Sequence, residues 1–151
     1  MVQFSLIPSA EAADLADDIR ELFDDLSRAL DRSHRAYSGE CHPALDVLET
    51  DEAIEISVDV AGIPPAALRI LFRAGVLLIV GEKAPGATTS EQTFHLVERA
   101  FGRFARAVRL AGAFDVQHSR ATLRDGELTI LLPKIEDRRG RARHIPVTSG
   151  P

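Results

Sequence analysis

From residue 10 to residue 30 the chain is patterned for a helix. Leu15, Ile19, Leu22, Phe23, Leu26 and Leu30 recur at spacings of i, i+4, i+7, i+8, i+11 and i+15 and make one apolar stripe, while Asp14, Asp17, Glu21, Asp24, Asp25 and Arg28 fall on the other side. Ser9 is placed to cap this helix, with Glu11 and Asp14 near the positive end of its dipole. Residues 33–42, which include Gly39, read as a flexible connector.

At Pro43 the period changes to two. Leu45 and Val47, then Ile54, Ile56, Val58 and Val60, alternate with Asp46, Glu55, Ser57 and Asp59, as half-buried antiparallel strands do. The turn Ala61-Gly62-Ile63-Pro64-Pro65 ends that run, and Leu68, Ile70 and Phe72 mark the next strand. Arg73-Ala74-Gly75 is a turn, and residues 76–80 form a continuous apolar strand. Residues 84–93, with Pro85, Gly86 and a Thr-Thr-Ser run, read as a long exposed loop, followed by strands over 94–99 and 104–110. Residues 121–134 predict a hairpin. Asp125-Gly126 supplies the positive φ that a tight turn requires, and Pro133 cannot donate a ladder hydrogen bond, so pairing stops there.

A succession of about eight short strands with no helix between them predicts an all-β, immunoglobulin-like antiparallel β-sandwich. The division expected is an N-terminal arm over 1–42, the sandwich over 43–134, and an extended C-terminal tail over 135–151. Because the sandwich holds its own core, the arm's stripe is expected to face other subunits and bound proteins. The commoner role of such a stripe is packing on its own domain.

The tail carries Ile145-Pro146-Val147 after a charged spacer. Residues two apart in an extended chain point the same way, and Pro146 holds the segment extended, so Ile145 and Val147 form paired aliphatic knobs suited to plugging a groove elsewhere.

Composition narrows the chemistry. At 151 residues and 45% hydrophobic content the chain suits one domain with flanking arms, and with seven Phe, one Tyr and no Trp its core must be aliphatic. No stretch approaches a membrane span, and Met-Val-Gln-Phe lacks the basic start of a signal peptide, so a cytoplasmic location is expected. Cys41 is the single cysteine, which excludes an intrachain disulfide and a cysteine-built metal site. The net charge of −5 is uneven: residues 1–42 carry four basic and nine acidic side chains, 43–133 nine and twelve, and 134–151 five and two. Such a balance disfavours nucleic acid as a partner of the bulk of the chain.

Other chemistry is thinly supported. Residues 81–88 have the glycine spacing of a phosphate loop but lack Lys before Thr88, and no amphipathic helix follows. His34, Cys41 and His42 lack a dependable fourth metal ligand. The basic run from Arg138 to Arg143 has no interleaved aromatics to stack bases. No local Ser-His-Asp or paired-carboxylate pattern marks an enzyme. No cofactor is expected.

Several blocks resemble, in order, the small heat-shock proteins of the alpha-crystallin type. Pro43-Ala44-Leu45-Asp46-Val47 is similar to the family's Pro-x-Val-Asp-Ile/Val strand, and residues 54–62 to its strand ending in Pro-Gly. Val76-Leu77-Leu78-Ile79-Val80-Gly81-Glu82-Lys83 resembles Leu-x-Ile-x-Gly-Glu-Arg/Lys, and Glu98-Arg99-Ala100-Phe101-Gly102-Arg103-Phe104-Ala105-Arg106 resembles Glu-Arg-Ser-Phe-Gly-x-Phe-x-Arg. The 121–128 block is similar to Ala-x-x-x-Asn-Gly-Val-Leu, and the tail to an Ile-x-Ile/Val anchor. Ala61, Ala111 and Glu127 depart from the pattern. Glu127 places a charge on a face of the last strand that should therefore be solvated.

The resemblance implies ATP-independent holding of unfolding client proteins by dimers built into a large exchanging homo-oligomer. The alternative is a sandwich-fold co-chaperone adaptor without large assembly. By the same resemblance, Phe4 and the stripe Leu15, Ile19, Leu22, Phe23, Leu26 and Leu30 hold clients, and Ile145, Pro146 and Val147 anchor the tail in a groove containing Leu68, Ile70 and Ala121. The homodimer forms by strand exchange through Gln92, Thr93, Phe94, His95 and Leu96, with Arg106 at the contact.

Overall fold

Period-two burial sorts the strands of this chain into two sheets. The structure, a computed structural model, describes residues 9–30, 41–136, 142 and 144–150. One sheet holds β1 (Leu45–Glu49), β2 (Ala53–Asp59), β7 (Glu127–Pro133) and β6 (Arg120–Arg124), in that order; the other holds β3 (Leu68–Arg73), β4 (Val76–Lys83) and β5 (Gly102–Arg109). Every pairing is antiparallel. Ile54, Ile56 and Val58 of β2 and Leu128, Ile130 and Leu132 of β7 face Leu77 and Ile79 of β4 and Phe104 and Val108 of β5 in one aliphatic core. The expected sandwich is therefore present.

Its turns follow the residues that demanded them. Asp125 and Gly126 both adopt positive φ, at 51° and 80°, and join β6 to β7 in the register Arg124↔Glu127. Gly126 also lies against Ala61, where an added Cβ would meet that residue's backbone at 3.3 Å, and its carbonyl accepts from the Val60 amide at 2.8 Å. One glycine thus shapes a hairpin and joins it to the end of β2. Glu127 is exposed, as its charge requires.

Two expectations are corrected. Residues 94–99 form no strand: from 84 to 101 the backbone leaves the sheets, and every residue from 91 to 100 is exposed. An apolar segment pairs only where a free strand edge lies alongside, and among the described residues this one has no strand partner. Seven strands, not eight, are present among the described residues.

The second correction concerns the arm. α1 (Ser9–Ala29) lies on the sandwich, against β3 and β4, instead of facing away from it. The cause lies in β4. Leu77 and Ile79 point into the core, so Leu78 and Val80 must point out of it, yet they are 1% and 0% exposed. Leu26 of α1, 1% exposed, belongs to this outer layer. A strand apolar on both faces calls for cover on both, and here the helix supplies it on the outer face. Phe4 lies outside the described residues.

The far end of the sheet is pinned by a surface pair. Lys134 Nζ donates to Glu49 Oε1 at 2.6 Å and to the Thr50 carbonyl at 2.7 Å, tying the end of β7 to the end of β1. The hydrogen bond from Lys134, and then its charge, hold the Glu49 carboxyl below its ordinary value of 4.5. A depressed folded-state value means that stability is fully present above the unfolded value and is lost as pH falls through the folded one. Wild type should thus lose slightly more stability than Glu49→Gln on acidification below about pH 4.5, as measured by denaturant titration across that range. Equal losses in the two proteins would remove the pair from the account.

Gly81 faces the core opposite Phe104, and an added Cβ would come within 2.5 Å of that ring and 2.9 Å of the Ala67 carbonyl. Gly81→Ala should cost about 1–3 kcal/mol through overpacking, read as a lower denaturation midpoint with unchanged m-value. A midpoint equal to wild type would show that the ring moves aside freely.

Candidate functional site

Two sheets stacked face to face leave edge strands whose outer backbone groups have no ladder partner. β3 and β6 are both edges, one from each sheet. Between them opens a groove of about 510 Å³ lined by Leu68, Ile70, Ala121, Leu123 and Leu128, with Pro65, Arg69 and Thr122 at its rim. The three residues expected at an anchor groove, Leu68, Ile70 and Ala121, thus line one cavity. Alternation explains it. Leu68 and Ile70 turn towards the inter-sheet space, and Ala121 is a small residue on the facing edge. Leu123 and Leu128, which sequence reasoning missed, complete the apolar floor; their register pairing across the Asp-Gly turn was the available signal.

Ile145 and Val147 are 86% and 98% exposed. They and Pro146 do not line the groove between β3 and β6, and no strand among the described residues includes them. Two aliphatic side chains left this exposed represent unrealised burial of roughly 1.5–3 kcal/mol each.

The long loop presents a second apolar surface. Phe94, Leu96 and Val97 are 69%, 73% and 68% exposed, and with Gln92, Thr93 and Phe101 they border a cavity of about 600 Å³. A turn fixes its tip, where the Gln92 amide donates to the Thr89 carbonyl at 3.1 Å and the Thr89 amide to Gln92 Oε1 at 3.0 Å. Its return limb is held by Phe101, whose ring faces Arg99 at 5.1 Å and Lys83 at 5.7 Å. His95 is exposed beside them.

Arg106 has partners within the chain. Its guanidinium donates to the Pro43 carbonyl at 2.7 Å and lies 3.0 Å from His42 Nε2. In the single chain this arginine ties β5 to the segment entering β1.

The stripe of α1 is divided. Leu26 is fully buried, whereas Leu15, Ile19, Leu22, Phe23 and Leu30 are half-buried. Leu30 also packs against the core of the sandwich.

Asp115, His118 and Ser119, which bring a carboxylate, an imidazole and a hydroxyl close together, have structural duties. Asp115 accepts from the His118 amide at 3.3 Å and pairs with His118 Nδ1 at 2.6 Å, capping a single 3₁₀ turn, and Ser119 Oγ donates to the Val116 carbonyl at 2.6 Å. Among the described residues no cluster of His, Cys, Asp or Glu could hold a metal ion, and no helix is long and apolar enough to cross a membrane. The arrangement offers grooves and apolar surface for binding.

Comparison with known proteins agrees. Residues 46–148 match the model of the Hsp20/alpha crystallin family. An 18.9 kDa heat shock protein of Oryza sativa subsp. japonica is 36% identical over 107 residues, which are 70% of this chain and 60% of that protein. Among solved structures, heat shock protein 16.0 of Schizosaccharomyces pombe superposes with a TM-score of 0.62 at 26% identity, covering 72% of this chain and all of that one. A small heat-shock protein of Xylella fastidiosa, described as having a distinct high order structure, gives 0.59 at 30% identity over 72% of this chain and 98% of that one.

Proposed function

The chain belongs to the Hsp20/alpha crystallin family, and from that premise we propose that it is an ATP-independent holdase. It binds partly unfolded proteins and stops their aggregation, working in the cytoplasm as dimers that build a large, exchanging homo-oligomer. The observation that carries this reading is the pairing of an open apolar groove between β3 and β6 with an Ile-Pro-Val tail exposed on the same chain.

The physical logic is one of hiding. A chaperone that neither hydrolyses ATP nor threads its clients must offer apolar surface, yet a large exposed patch aggregates on its own. Short tails docked in the grooves of other copies conceal that surface at rest and release it when assembly loosens. Ile145 and Val147 side by side suit a groove floored by Leu68, Ile70, Leu123 and Leu128, and Pro146 keeps the segment extended at little entropic cost. Dimerisation draws on residues 92–97. Phe94 and Leu96 are exposed in the loop, and the outer edge of β1 is an unpaired edge that can accept a strand from a second copy. Arg106 sits beside that edge through its bond to Pro43. Clients are held by the apolar stripe of α1 together with Phe4.

Replacing Ile145 and Val147 with Ala should leave a folded dimer that no longer assembles further, because each subunit loses the burial of two aliphatic knobs, about 1.5–3 kcal/mol apiece. Light scattering reads the outcome, and an unchanged particle would refute the anchor role. Holding is tested by heating an aggregation-prone client without nucleotide. Wild type should suppress turbidity near equimolar ratio, and Leu22→Ser with Phe23→Ser should lose most of that suppression while the β-sheet dichroism persists. Full protection by the double variant would remove α1 from the client surface.

A further inference from the structure

The contact between α1 and the outer face of β3–β4–β5 joins two surfaces that each need cover. On the sheet side, Leu78 and Val80 form an apolar strip at 1% and 0% exposure. Arginines surround it. Arg69 and Arg73 come from β3 and Arg103 from β5, all at positions that alternate away from the core. On the helix side, residues 9–29 hold seven acidic side chains and two basic ones around the apolar stripe.

The polar contacts across this boundary pair the two charge patterns. Arg69 Nε donates to Asp25 Oδ2 at 2.9 Å, and Arg73 lies 3.2 Å from Asp18 Oδ2. Arg103 donates to Ser27 Oγ at 3.0 Å while its guanidinium faces the Phe23 ring at 5.2 Å. Glu82, buried in β4, stands 3.5 Å from Arg103 Nε and orients it. Asp18 and Asp25, seven residues apart, are on one side of the helix, so both arginines of β3 are met along a single line.

We propose that the outer face of β3–β4–β5 is a docking surface for an acidic amphipathic helix, and that α1 is its exchangeable occupant. The apolar strip supplies affinity for any amphipathic helix, and the arginine frame selects one whose flank is acidic. Docking hides the stripe of α1 and the Leu78–Val80 strip together; undocking bares both. Each ion pair has one exposed and one largely covered member, Arg73 at 56% with Asp18 at 13% and Asp25 at 53% with Arg69 at 26%; a pair open to water on one side is still screened by salt and shifts an equilibrium by roughly fivefold, so the occupant leaves while the sandwich stays folded. That release exposes client-binding surface rests on the holdase reading above.

Asp18→Arg with Asp25→Arg in the full chain reverses the acidic flank. Amides of α1 should then exchange with deuterium at least about tenfold faster, while those of β4 keep their protection. A labelled synthetic peptide of residues 9–29 should bind this variant at least about tenfold more tightly than wild type, whose own helix fills the site at millimolar effective concentration. Adding Arg69→Asp and Arg73→Asp should restore protection of α1 and abolish binding of the peptide. If the double reversal also unprotects β4, Asp18→Asn with Asp25→Asn takes its place under the same criteria. Unchanged exchange of α1, or peptide binding indifferent to the arginine reversal, would overturn the proposal. Client turbidity measured on the same variants separates the two readings: a released α1 without improved suppression counts against its role in holding and leaves the docking surface standing.

Discussion

An open β-sandwich has ends to its sheets, and the amides and carbonyls along those ends must meet water or another chain. Here β1, β6, β3 and β5 are the four edges, and much of what the molecule presents follows from how each is treated. β3 and β6 lie across from one another, so their unpaired sides and the apolar residues between them make a groove and not two flat ribbons. β1 is short, and Glu49 and Lys134 pair at its end, a charged treatment that discourages indiscriminate pairing. Beyond β4 the chain leaves the sheets altogether and returns to β5 at Gly102, carrying its exposed apolar residues in a loop.

The same economy governs the faces. Of the inner strands, β2 and β7 alternate strictly, burying one side only, but β4 buries everything from Leu77 to Glu82. The helix is the consequence. Its acidic side chains meet arginines that would otherwise surround a bare apolar strip, and Leu26 fills the middle. Arm and sandwich are therefore complementary surfaces of one chain. The strength of their union is set by a few buried side chains and several screened charges.

Sequence reasoning reached the strands because a half-buried sheet writes its period directly. Ile54, Ile56 and Val58, or Leu128, Ile130 and Leu132, alternate visibly, and Asp125-Gly126 announces its turn. It also reached Leu68, Ile70 and Ala121, through the resemblance. Two things escaped it. The run from Val76 to Val80 shows apolar residues at every position, which states that both faces are buried but not by what; only the third dimension brings α1 there. Residues 94–99 have the composition of a strand, yet a strand is a relation between two segments, and among the described residues none pairs with that one. Arg106 was legible as an arginine but not as the partner of Pro43, since sixty-three residues separate them.

Magnitudes order the events that follow a rise in temperature or a change of solvent. The sandwich core buries sixteen residues in one cluster, and a single large-to-small change in such a core costs about 2–5 kcal/mol. The two aliphatic side chains of the tail, or the partly exposed ion pairs between α1 and β3, can contribute far less. Hydrophobic burial keeps its strength on warming, whereas the entropy of an undocked arm or tail grows in weight in proportion to temperature. The peripheral contacts must therefore loosen first. On the holdase reading proposed above, a chain built this way gives up its cover while its scaffold remains intact, and that order of events is what holding other proteins requires.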